Sequence, residues 1–156
     1  MSLLPLFHWF DETAIGQGIR SSTYWFPAIE VVHLLGLTLL YGSVLVLDLR
    51  LLGLGMRRQS VAQMDSEITP YKLWGIVLMF GTGIPLFLSE ALKCYDNVGF
   101  WFKMTALLLA ILFEFTVHRS VLHSESPSPL VLKATALTSM LLWLSVGLGG
   151  RAIAFV

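Results

Sequence analysis

The sequence predicts an all-α polytopic membrane protein, a bundle of four transmembrane helices preceded by a short helix in the membrane interface. Three observations carry this. The 156-residue chain is 56% hydrophobic and 13% charged, with a mean hydropathy of +0.76, whereas an ordinary soluble domain is roughly 25% charged. Its apolar residues gather into four runs long enough for the roughly 20 helical residues that cross a bilayer. The polar segments between those runs are short, so residues 1–156 form a single integral membrane domain.

Residues 1–23 come first, with Leu3, Leu4, Leu6, Phe7, Trp9 and Phe10 interrupted by Pro5, Asp11 and Glu12. The segment is too short to span, and its Trp and Phe suit a helix lying at the level of the lipid head groups. It lacks the basic head and small-residue cleavage site of a secretory signal, so the first spanning helix is expected to direct its own insertion. Gly16 to Thr23 reads as a turn. The first span covers about 24–54, with Pro27 in its first turn, where the missing N–H has no intrahelical partner to lose. Met56, Arg57 and Arg58 open a polar loop that Pro70 closes. The second span covers about 71–94, and Gly81, Gly83 and Pro85 inside it predict a bend, which membrane helices tolerate. The third covers about 99–120, the Ser-Glu-Ser-Pro-Ser-Pro stretch forms the next loop, and the fourth covers about 130–155.

Lys and Arg set the expected orientation. Arg50, Arg57, Arg58, Lys72, Arg119 and Lys133 would lie on one side, against Arg20, Lys93, Lys103 and Arg151 on the other. The excess on the first side makes it cytoplasmic, with both termini periplasmic in a bacterial inner membrane.

The span at 24–54 also carries ionisable residues. Glu30, His33, Leu37, Tyr41, Val44 and Asp48 fall on one stripe at helical spacing. A charge facing lipid costs roughly 2.5–3.5 kcal/mol on insertion scales, so this stripe should face protein or water. Sorted by depth, Glu30, His33, Glu90, Lys93, Lys103 and Arg151 form an outer polar layer. Tyr41, Asp48, Glu114 and His118 form an inner one, with an apolar middle between them. His33 and His118 are separated by about half a bilayer and cannot ligate one metal. There is no HExxH, CxxC or His/Asp/Glu triplet of zinc-site spacing.

The outer layer suits haem b. Neutral imidazole is an axial ligand of haem iron, and Gly36 and Gly42 leave room for a macrocycle on the helix of His33. Lys93, Lys103 and Arg151 offer cations for the two propionates. At the level of His33 no second His or Met is evident in the sequence, so the iron would be five-coordinate or take its sixth ligand from another copy or subunit. The residues leave other readings open: Glu30 and His33 at i,i+3 also suit a hydrogen-bonded structural pair, and lysines near helix ends also snorkel to lipid head groups.

WFPAIEVVHLLGLTLL and VLDLRLLGLG, followed by FLSEALKCY and FTVHRSV, resemble an uncharacterised family of small four-helix bacterial inner-membrane proteins, over nearly the whole chain. That resemblance implies the four-helix topology and no activity. The His-Leu-Leu-Gly pattern around His33 is more distantly similar to helices of copper-resistance membrane proteins and b-type cytochrome membrane subunits. Where such cytochromes pair two histidines at one depth, this sequence has His33 alone.

Three functions follow as expectations. One is a haem b-binding subunit moving electrons near the periplasmic side. The second is a non-catalytic accessory subunit of a larger membrane complex. The third is a proton-coupled small-solute carrier or channel titrating at Glu30, His33 and Glu90. Balanced charge, 10 basic against 10 acidic residues, gives no patch for nucleic acid, and Cys94 without a nearby His does not mark a nucleophilic enzyme. The expected partners are the lipid bilayer and, through Gly-rich faces of the second and fourth spans, a second copy or a larger complex.

Overall fold

The computed structural model describes residues 3–55, 58, 60–124 and 126–155, and all of its regular elements are helical. Two short helices, α1 (Leu4–Asp11) and α2 (Ala14–Arg20), precede α3 (Trp25–Leu51) and α4 (Val61–Ser89). A one-residue break leads to α5 (Ala91–Asp96). Then α6 (Val98–Phe113), a π-helical turn (Glu114–His118) and α7 (Arg119–Leu122) run on as one rod, and α8 (Pro129–Ala152) closes the chain. The helices at Trp25–Leu51, Val61–Ser89, Val98–Leu122 and Pro129–Ala152 are long and apolar enough to cross a membrane, which marks a multi-pass membrane protein. Between 22% and 28% of each apolar window is buried, so most of their surface is apolar and outward-facing, as lipid requires.

Local chemistry fixes the helix ends. The side chains of Ser60, Asn97 and Ser128 accept hydrogen bonds from the backbone N–H groups of Gln63, Phe100 and Val131, capping α4, α6 and α8. α3 ends at Gly53, whose φ of +78° is the left-handed conformation that glycine adopts without strain. The backbone bonds Leu54 N–H to Leu49 O and Gly53 N–H to Arg50 O complete a Schellman motif there.

The second span begins ten residues before the sequence predicts. Ser60 starts the helix, and Pro70 lies inside α4 instead of closing a loop. A proline removes one intrahelical bond but leaves the rest, and the residues before it, with Gln63 bonded to Glu67, keep the helical register. At the other end α4 stops at Ser89, where Glu90 adopts φ −138°, ψ 33°, and the predicted continuation to 94 becomes the separate α5. Met56, Arg57 and Glu125 of the two polar loops lie outside the described residues.

Glycines let the helices approach closely. A Cβ built on Gly75 would stand 2.7 Å from the backbone N of Leu40, and one on Gly36 2.8 Å from the Cβ of Leu78, so α3 and α4 interlock glycine against side chain. Gly149 meets Phe102 and Lys103 in the same way between α8 and α6. Leu40, Val44, Ala106, Ala110, Trp143 and Val146 form the central core.

α3 packs on α4 and on α8, and α8 packs on α6, but the Cα atoms of α4 and α6 nowhere come within 8 Å. The bundle therefore has an open seam between α4 and α6, closed at one end where α7 meets α4. At the other end, which carries both chain termini, Phe7 of α1 sits in an aromatic cluster with Phe87, Tyr95 and Trp101.

Candidate functional site

Behind the seam, on the terminal half of the bundle, lies a cavity of about 240 Å³. His33 of α3 stands on its wall, with Lys103 of α6, and Met79, Phe80, Phe100 and Met104 supply apolar surface. The tautomer of His33 follows from its partner. Thr82 Oγ1 donates its single proton to the carbonyl of Leu78 at 2.5 Å, so at 2.8 Å from His33 Nδ1 it accepts. Nδ1 therefore carries the hydrogen, and the ring also hydrogen-bonds the backbone of Met79. Gly83 flanks the ring: a Cβ there would lie 3.2 Å from His33 Cε1. Lys103 has no carboxylate or hydrogen-bond acceptor among the described residues, its stem lying along Gly149 and Gly150. An imidazole and an ammonium without a carboxylate partner among the described residues, on the wall of one apolar cavity, suit a ligand that is largely apolar and carries an anionic group.

A second polar cluster fills the opposite half. The π turn brings Glu114 and His118 inward, 2% and 0% exposed, while the three residues between them stay outside. His118 Nε2 lies 3.0 Å from Oδ1 of Asp48, itself fully buried. Lys72 Nζ donates to Glu114 Oε1 at 2.6 Å and lies 3.7 Å from Asp65 Oδ1. The His118 Nδ1 to Glu114 Oε1 separation of 3.6 Å is beyond a hydrogen bond. Asp65, Lys72, Glu114 and His118 also line a groove of about 630 Å³ between α4 and the π turn, with Arg119 and His123 at its edge.

The residues singled out from sequence distribute as follows. His33 and Lys103 share the cavity. Lys93 is exposed and pairs with Glu90 on the surface, and Arg151 sits 4.7 Å above the Phe155 ring. Glu30 is exposed instead of facing the interior with the rest of its stripe, because the turn before α3 leaves that edge of the helix uncovered. The stripe is interior from Val44 to Asp48, with Tyr41 half-buried against the core. Gly36 is filled by Leu78 and leaves no gap, while Gly42 has open space. Met79 and Met104 do stand at the level of His33, contrary to the expectation that the sequence places no second His or Met there. Counting down α4 from Ser89 puts Met79 about 15 Å deep, close to the depth of His33 in α3.

Sequence reasoning missed Lys72, Asp65 and Thr82. Lys72 reads as a loop-side cation only while Pro70 is taken as a boundary. The available signal was the Ser60-Val-Ala-Gln63 capping pattern, which starts a helix ahead of it. Thr82 joins His33 across helices, and nothing local announces that contact.

A family model described as a family of unknown function (DUF6644) matches residues 6–156, and the chain belongs to that family. No curated protein and no solved structure matches. These comparisons lend nothing to the likeness with copper-resistance proteins and b-type cytochrome subunits.

Proposed function

We propose that this member of the family binds haem b in the cavity beside His33 and serves as an electron-transfer subunit near the periplasmic side of a bacterial inner membrane. The carrying observation is the His33–Thr82 hydrogen bond: Thr82, donating to Leu78, accepts from Nδ1–H, and Nε2 would be the nitrogen that ligates iron. Haem-ligating histidines are commonly held in this way by a hydrogen bond at the other ring nitrogen. Lys103 would hold one propionate. Met79 and Met104 offer thioethers for the sixth position, which removes the need for a second copy. Pockets that enclose drug-sized ligands have roughly 300–1,000 Å³; the cavity here, at about 240 Å³, is smaller, so α4 and α6 would have to part at their seam to admit a macrocycle. For orientation, burial of Lys72 and of the Lys103 stem removes one cation from each side of the earlier count, and the remaining excess still supports periplasmic termini. A proton-coupled carrier finds less support, since exposed Glu30, His33 and surface-paired Glu90 do not meet.

Visible spectra of the detergent-purified protein, oxidised and then reduced with dithionite, test the reading. A haem spectrum is expected, absent in His33→Ala and bound roughly 10–100-fold more weakly in Thr82→Val. A colourless protein from haem-replete cells, or unchanged binding in His33→Ala, overturns it.

A further inference from the structure

Of five buried side-chain atoms at the edge of hydrogen-bonding reach among the described residues, Glu114 Oε2, His118 Nδ1 and Trp143 Nε1 have no partner, while Asp48 and Ser139 have each other. Natural proteins leave few such atoms, and these five are not scattered. Glu114 and His118 stand on the wall of the 630 Å³ groove. His118 contacts Asp48, Asp48 lies beside Ser139, and Ser139 and Trp143 share a face of α8 one turn apart. Trp143 in turn lines the cavity that holds His33. These atoms thus form a line from the groove at the loop end, through the apolar middle, to the cavity in the terminal half.

We propose that this line is a water-bridged proton path that connects the groove to the His33 cavity. Buried polar atoms without protein partners are satisfied by ordered water, and a line of them between two cavities holds water in file. Every member has a suitable role. Glu114, held by Lys72 at the mouth beside Asp65, Arg119 and His123, takes a proton from groove water. His118 accepts it at Nδ1 and releases the proton on Nε2 to Asp48 Oδ1, so one proton enters and one leaves the ring. Asp48, taking a proton at Oδ1, releases the one on Oδ2 to Ser139, whose hydroxyl accepts one proton and donates its own to water, and the Trp143 indole N–H anchors the last water before the cavity. Only N–H and O–H bonds change. The path stands on the geometry alone, and its use in balancing charge on a redox group rests on the haem reading.

The test is deuterium exchange of the Trp143 indole N–H, followed by NMR in the full-length protein carrying ¹⁵N-labelled tryptophan in lipid nanodiscs and assigned with Trp143→Phe. Trp143 is 2% exposed in an apolar core, so without a water path its proton should be protected to the level of global unfolding. Exchange within minutes is expected, slowed roughly tenfold or more in Ser139→Ala, which removes the hydroxyl and adds no bulk. Protection lasting a day in the wild type, or exchange that Ser139→Ala leaves unchanged, overturns the path. Colourless protein with rapid exchange at Trp143 would sink the haem reading and keep the path; coloured protein with a protected Trp143 would do the reverse.

Discussion

The Lys72–Glu114 pair permits a quantitative prediction because both partners are nearly sealed from solvent, at 8% and 2% side-chain exposure. At 2.6 Å and an effective dielectric of roughly 20, their attraction is about 6 kcal/mol. Most of that is offset by removing two charges from water, so the pair contributes little net stability. Breaking it is another matter. Lys72→Met leaves Glu114 as an uncompensated buried carboxylate and should destabilise by about 3–5 kcal/mol. Glu114→Leu leaves the ammonium with Asp65 3.7 Å away and should cost less. The double variant Lys72→Met/Glu114→Leu removes both charges and should come within about 1 kcal/mol of the wild type, a coupling of at least about 2 kcal/mol. Reversible unfolding by dodecyl sulfate in mixed micelles measures all four corners of the cycle. Costs of the two single variants that add to within about 0.5 kcal/mol in the double variant would refute a direct buried pair.

The remaining predictions concern packing, a cap and a thiol. Gly75→Ala drives a methyl to 2.7 Å from Leu40 backbone and should cost about 1–3 kcal/mol as α3 and α4 part. Gly81→Ala, with nothing within 4 Å, should be neutral or gain up to about 1 kcal/mol, and thermal melts in detergent compare the two. Gly53→Ala places a Cβ on a φ of +78° and should lower stability by about 1 kcal/mol by the same assay. Burial, and then Glu90, push the Cys94 thiol up to about 11 from its usual 9.0. At pH 8 roughly one thiol in 10³ is ionised, so maleimide labelling should be negligible until the protein is denatured. The folded state keeps this proton to higher pH than the unfolded chain. Its contribution is therefore complete below about 9 and is lost as pH climbs towards about 11, and Cys94→Ala should flatten that alkaline loss.

The four spans were legible because hydropathy over some 20 residues is a property of composition, independent of any contact. The depth of each polar residue was legible for the same reason: counting along a helix at its fixed rise gives height, and height brought Asp48 and His118 to one level before any packing was known. Facing is harder. Glu30 shares a stripe with Asp48, yet it is exposed while Asp48 is buried, because neighbouring helices cover only the part of α3 that they reach. The π turn has no sequence signature in Glu-Phe-Thr-Val-His.

The apolar middle layer shows most clearly where hydropathy reading stops. Trp143 counts as apolar in any periodicity, and its ring does pack with Leu40 and Val44. Its indole N–H nevertheless needs a partner, and in the apolar core the described residues supply none. Ser139, one turn away and fully buried, is small enough to pass as a helix-packing residue. Taken singly, each is an ordinary core residue of a membrane helix. Asp48 changes that, because a buried carboxyl beside Ser139 has an oxygen that apolar packing cannot satisfy, and so the two polar layers are joined through the residues that seemed to separate them.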